Sequence, residues 1–195
     1  MLTLPAFLVL FMVLFVAYLV LKSVLFHLTF NINPAVFLTG RKKELLVWIV
    51  MLGILAGYGA IAMMHFYGAD IGPVYALLQN PWMHLLGMSF LVIGFAVMVT
   101  AHAQMGQHWR MGIDRQNKGN LMIQGVFSIS RNPIYGAILL QAAGLALLLK
   151  AEIAFILWLI LLVCIHMVIR HEEEFLEEQF KEVYTQYKSK VRRFI

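Results

Sequence analysis

Charge is what this sequence has least of. Asp, Glu, Lys and Arg make up 13% of its 195 residues, where an average soluble domain has about 25%. Hydrophobic residues make up 62%, against roughly 45–50% in such a domain. One globular core of this size cannot hide that excess, so lipid must solvate much of the surface. Cysteine is nearly absent as well. The lone Cys164 excludes an intramolecular disulfide and a cysteine-rich metal site. Its place midway along an apolar run reads as a buried, inert thiol. The seven histidines include no His-x-x-x-His pair, so no metal site is expected. A phosphate loop, a dinucleotide glycine fingerprint and a nucleophile elbow are all missing. The net charge of +5, in so apolar a chain, points to basic loops on the cytoplasmic side of a membrane rather than to nucleic acid.

The chain does have long apolar runs, at 3–26, 45–66, 82–101, 135–149 and 153–169. A helix needs about 20 apolar residues to cross a bilayer, so the fourth run is short. Only Lys150 and Glu152 interrupt the fourth and fifth runs, which reads as a tight helical hairpin. The first run is longer than the ~7–15 residues of a signal-peptide core and reads as a retained span. Backbone polar groups in lipid must satisfy one another, so helices are expected throughout. The predicted fold class is all-α: a polytopic integral membrane protein with about five transmembrane helices and a C-terminal amphipathic helix. Residues 1–101 form three N-terminal spans. Residues 102–195 form a second region of loop, hairpin and tail. Basic residues alternate with nearly neutral connections: Arg41, Lys42 and Lys43 after the first run, Arg110, Arg115, Lys118 and Arg131 after the third, and Arg170 through Arg193 after the fifth. The positive-inside rule then places the N-terminus outside and the C-terminus in the cytoplasm. Lys22 is placed to snorkel. Gly53 and Gly57 have the small-residue spacing of helix packing.

The longest connection, 102–133, contains Gly106, Gly112, Gly119 and Gly125; a loop of that length in a small protein is usually functional. Beyond Gly144 there is neither glycine nor proline, so helix five is expected to continue into the tail. There Phe175, Leu176, Phe180, Val183, Tyr184 and Tyr187 recur at helical spacing opposite Glu177, Glu178, Lys181 and Glu182. Such an amphipathic helix lies at the interface or packs over the loop. Two clusters could carry chemistry. In Ser130-Arg131-Asn132-Pro133-Ile134-Tyr135-Gly136, Asn132 is a suitable N-cap and Pro133 suits the first turn. The free N–H groups of that helix start, beside Arg131, form an anion site; ordinary capping explains the same residues. In Arg170-His171-Glu172-Glu173-Glu174, three adjacent carboxylates at the membrane edge repel one another, and a diol or a cation would relieve them. A solvated start of the tail explains them equally well.

These two clusters carry a resemblance. Residues 121–127 and 130–136, followed by Arg170-His171-Glu172-Glu173 with Leu176, Phe180, Tyr184, Tyr187 and Val191, resemble the isoprenylcysteine carboxyl methyltransferase family, within the wider group that includes phospholipid N-methyltransferases. The likeness covers about 75 residues. Asn132 stands where that family usually has His, Phe127 where Tyr is common, and Lys181 where Gly follows the Phe; the last change implies that the tail stays helical. The resemblance implies S-adenosylmethionine (AdoMet) as methyl donor in a cytoplasmic pocket. Leu121 and Met122 would border the adenine, with Phe127 and Tyr135 packed on it or near the sulfonium. Glu172 and Glu173 would bind the ribose diol or the amino group, and Arg131 and Asn132 the carboxylate. It further implies a prenylated-cysteine carboxylate, or a similar lipophilic acid, entering from the bilayer, with Arg170 and Glu173 as catalytic residues and Arg170 orienting the acceptor. Amine methylation of a phospholipid, a reductase using a phosphorylated nicotinamide, and a non-enzymatic membrane scaffold are the rival readings.

Overall fold

The computed structural model describes residues 3–38, 42–71, 80–113 and 120–194, the side chain of Lys43 apart. Arg41, Arg115, Lys118 and Gly119 lie outside the described residues. Five α-helices account for the apolar runs: α1 (Leu4–Phe30), α2 (Lys42–Phe66), α3 (Pro81–Met105), α4 (Pro133–Leu149) and α5 (Glu152–Lys190). Four of them are long and apolar enough to cross a membrane, and α4 is the shorter apolar helix. The chain is an all-α, multi-pass membrane protein.

Burial within the bundle is sparse, as expected of helices solvated by hydrocarbon. On α1 only Leu8, Met12 and Phe26 are buried, while Val13, Leu14 and Val20 are each more than half exposed. The common core joins Leu8 and Met12 of α1, Met51, Ile54 and Tyr58 of α2, Leu91 of α3, Leu145 and Leu149 of α4, and Ile165 and Ile169 of α5. Cys164 is buried there too. Tyr58 anchors α2 to the hairpin by donating its hydroxyl hydrogen bond to Ala154 O at 2.8 Å.

The helix pair α3 and α4 crosses most closely, and it does so on small residues. A Cβ on Gly144 would stand 2.7 Å from Gly87 O, and one on Gly94 would stand 2.9 Å from Ala137 O. Without a hydrophobic force between helices in lipid, close backbone approach supplies the attraction. The spacing Gly53/Gly57 does not serve this purpose as a pair. Gly57 touches Leu157 of α5, but Gly53 is exposed with nothing within 4 Å of its Cβ position.

The turn between α4 and α5 is as short as Lys150 and Glu152 predict. Lys150 adopts the left-handed conformation (φ 57°, ψ 13°), returns its N–H to Ala146 O, and α5 starts two residues later. Helix α5 then runs past the end of its apolar stretch at Ile169 into the tail. The expectation that Lys181 keeps the tail helical is overturned: Lys181 sits at φ 46°, ψ −120°, and α5 bends there. The bend turns Tyr184 and Tyr187 under the loop before α4, where the Tyr187 hydroxyl donates to Phe127 O at 2.5 Å. The tail therefore packs over the loop, the second of the two placements its amphipathic pattern allowed. Val183, on the other side, stays 58% exposed.

Candidate active site

Where the helices run out of apolar residues at the C-terminal end of α5, the loops enclose a cavity of about 430 Å³. Its walls come from the end of α1 (Phe30, Ile32), the end of α3 (Met105, His108), the segment 120–132 and the first turns of α5 beyond Ile169. Gly125 makes the local path possible. It sits at φ 61°, and a Cβ there would collide with Gln104, whose Oε1 accepts the Val126 N–H at 2.9 Å. Of the residues expected to hold a cofactor, Leu121, Met122, Phe127, Arg131, Asn132, Glu172 and Glu173 all line this cavity.

A second cavity of about 140 Å³ adjoins the first. The two share Met105, Arg110, Phe127, Arg131, Asn132 and Glu172. The second adds His102, Trp109 and Tyr135, and then Phe15, Leu19, Trp48 and Ile138. Those last four also line a third cavity of about 130 Å³, deep among α1, α2, α4 and α5, where Gln141 and Tyr58 are the polar residues in an otherwise apolar wall. The three spaces form a series from polar loops to apolar residues among the helices, and the first two share a wall.

That wall holds two buried polar atoms that have no partner among the described residues: Arg131 Nε and Glu172 Oε2. A donor or acceptor stranded in this way costs about 1–3 kcal/mol, so each atom is a standing demand for a ligand atom of the opposite kind. The Tyr135 hydroxyl lies close enough to the Glu172 carboxyl to favour its ionised form. Glu172 lies beyond the apolar stretch of α5, and its carboxyl is pushed up to about 7. Burial is the main cause; the nearby Tyr135 hydroxyl works against it and the Glu173 charge adds to it.

Glu173 is differently placed. It is buried, and both its oxygens are occupied. Arg193 reaches it with a fork, Nε to Oε1 at 3.2 Å and Nη2 to Oε2 at 2.5 Å, while Arg131 Nη2 meets Oε1 at 3.1 Å. Neighbouring carboxylates therefore divide the work: Glu173 ties two arginines together, and Glu172 keeps an oxygen for something else.

Two expected residues fall outside the polar cavity. Tyr135 borders the second cavity rather than the first. Arg170 is exposed and lines none of the three. At 100° per residue, a helical position two before Glu172 points almost the opposite way. Asn132 precedes α4 as expected, but its side chain caps nothing. Its Nδ2 donates instead to Arg193 O at 3.3 Å, beside Ser130 Oγ, which donates to the same oxygen at 3.1 Å.

Sequence reasoning also missed contributors. Arg193 lies beyond the end of α5 in an extended segment paired to Ser130, where helical spacing carries no signal. His102 is buried in the second cavity, with Tyr18 Oη 2.9 Å from its Nδ1 and Trp109 edge-on to its ring. Lys22 of α1, expected to snorkel, ends over the Trp109 ring at 5.6 Å.

Comparison with known proteins places this architecture. An all-helical bundle that keeps a polar chamber at one end and an apolar one among its helices is a membrane protein with room for a ligand. The sequence model of the phospholipid methyltransferase family matches residues 82–183, more than half of the chain, and the protein belongs to that family. The match runs from α3 into the tail and spans both motif clusters, but stops short of Tyr187 and Arg193. The fold is similar to a solved structure of the eukaryotic intramembrane Ras methyltransferase, isoprenylcysteine carboxyl methyltransferase, with a TM-score of 0.50 at 16% identity. That alignment covers 75% of this chain and 48% of the other, so the chain spans about half the length of that enzyme. No curated protein matches the sequence.

Proposed function

We propose that the protein transfers a methyl group from AdoMet to the ionised carboxylate of a lipophilic acceptor, a prenylated cysteine or a similar thioether acid that arrives from the bilayer. The observation that carries this reading is the shared wall, where a buried donor, Arg131 Nε, and a buried acceptor, Glu172 Oε2, lack partners. The amino-acid end of AdoMet carries a carboxylate and an ammonium, the complement of that pair. A cavity of about 430 Å³ falls within the ~300–1,000 Å³ of small-molecule sites. Leu121, Met122 and Phe127 offer it apolar surface, and the Phe127 ring suits a sulfonium. Bound there, AdoMet supplies an electrophilic methyl group.

A carboxylate acceptor is already ionised at neutral pH and needs no general base. It needs alignment and a dry cavity. Arg110 and Arg131 line the second cavity together with Glu172. In this reading Arg110 takes the acceptor-orienting role first expected of Arg170. The third cavity receives the acceptor's chain. The basic residues around the polar cavity and tail favour the cytoplasm for that side and the outside for the N-terminus.

A second reading, methylation of a phospholipid amine, draws on Glu172. An amine must lose a proton before attack, and a buried carboxyl near 7 is tuned to take it. Methyl-labelled AdoMet, given to the detergent-purified protein with either a farnesylated cysteine analogue or phosphatidylethanolamine, separates the two. Label recovered as a base-labile ester supports the carboxylate reading. Label in the phospholipid moves the assignment to the amine. Label in neither, with AdoMet bound, removes both acceptor classes.

A further inference from the structure

We propose that Arg193 is a positioning residue of the active site, and that its task is to keep the Nε donor of Arg131 free for a ligand anion. The inference rests on the reading of the shared wall given above and concerns how that wall is held. Three observations lead to it. First, Arg193 and Arg131 compete for one carboxylate, and Arg193 holds the better geometry. Its Nε and Nη2 grip the two oxygens of Glu173 side-on, while Arg131 has only Nη2 against Oε1. Second, Arg131, whose side chain is 8% exposed and lines both cavities, keeps Nε without a partner among the described residues. Third, Arg193 is fixed by its backbone, not by its charge. Its carbonyl accepts from Ser130 Oγ and Asn132 Nδ2, and the preceding carbonyl, Arg192 O, accepts the Arg131 N–H at 2.9 Å.

Planar guanidinium–carboxylate pairs prefer the two-bond fork. Without the Arg193 side chain, Glu173 is left with one charged neighbour and turns to it. Arg131 then closes its own fork through Nε and Nη2, and its unpartnered donor is consumed. The tail stays in place because its backbone bonds to residues 130–132 do not involve the guanidinium. Arg193 thus acts on the ligand through Arg131, although nothing requires it to touch the ligand.

The test compares AdoMet affinity by calorimetry in the full-length, detergent-purified wild type, Arg193→Gln, and the double variant Arg193→Gln/Glu173→Gln. Arg193→Gln is expected to bind AdoMet at least tenfold more weakly, with the KM for acceptor changed less than twofold. The double variant is expected to return to within about threefold of wild type, because a neutral amide in place of the Glu173 carboxylate no longer captures Arg131. Equal affinity in wild type and Arg193→Gln overturns the proposal. So does loss without rescue, the result a merely structural arginine would give. If the wild type binds no AdoMet, the functional reading fails, and the arginine proposal is then decided by the Arg131 Nε–H resonance in ¹⁵N-labelled protein. A shift of that resonance in Arg193→Gln, reversed in the double variant, sustains the proposal; an unmoved resonance overturns it.

Discussion

Replacing Lys181 by glycine should stabilise the protein, although it removes a charged side chain and adds flexibility. Lys181 holds φ 46°, ψ −120°, a region that side chains with a Cβ rarely adopt. Strain of this kind is worth about 1–3 kcal/mol. Glycine relieves it but adds roughly 0.5–1 kcal/mol of backbone entropy to be lost on folding. The exposed Lys181 side chain contributes little of its own. The balance favours the glycine variant by about 1 kcal/mol, which corresponds to roughly 2–4 °C in melting temperature for a chain of this size. The assay is thermal unfolding in detergent, monitored by circular dichroism, with Lys181→Ala as the control. Alanine keeps the Cβ and the strain, so it should melt with the wild type. A glycine variant no more stable than the alanine variant refutes the idea that the bend is imposed on Lys181 from outside.

Other perturbations probe the packing and the site. Gly144→Ala should cost about 1–3 kcal/mol through overpacking, since its Cβ would meet Gly87 O at 2.7 Å. Gly53→Ala, with nothing within 4 Å, should gain up to ~1 kcal/mol from helix propensity, and paired melting curves check both. Glu172 carries its proton to about 7 when folded but releases it near 4.5 when unfolded. Its contribution to stability is therefore full below pH 4.5 and is lost as the pH rises through about 7. Glu172→Gln should flatten that part of the stability–pH profile, and an unchanged slope speaks against a buried carboxyl. Arg110→Gln should raise the KM for acceptor at least fivefold, while Arg170→Ala leaves it unchanged. The opposite pattern in steady-state kinetics returns the acceptor role to Arg170.

The spans were legible because hydrocarbon imposes a length and a composition on whatever crosses it. Even the short α4 and its two-residue turn at Lys150 showed in the hydropathy pattern. The polar cavity was legible in part, since residues 121–132 and Glu172 lie in two compact motifs that the hairpin brings together. Lys181 was misread because residue type was taken to decide local conformation. The bend at Lys181 goes with a tertiary contact, the Tyr187 hydroxyl bond to Phe127 O, which residue type does not show. Arg170 was named from the resemblance, and its exposed place follows from the helix, where a residue two positions before Glu172 faces elsewhere. Arg193 left no trace because it acts from an extended tail, where no periodicity links it to Ser130 or Glu173.

The central claim is that AdoMet is held at the wall where Arg131 Nε and Glu172 Oε2 lack partners. Calorimetric titration of AdoMet into the purified wild type and Glu172→Gln at pH 8, with Glu172 ionised in the wild type, tests it most directly. The account predicts saturable binding by the wild type and at least tenfold weaker binding by the folded variant. No binding by the folded wild type, or equal binding by both, would contradict it.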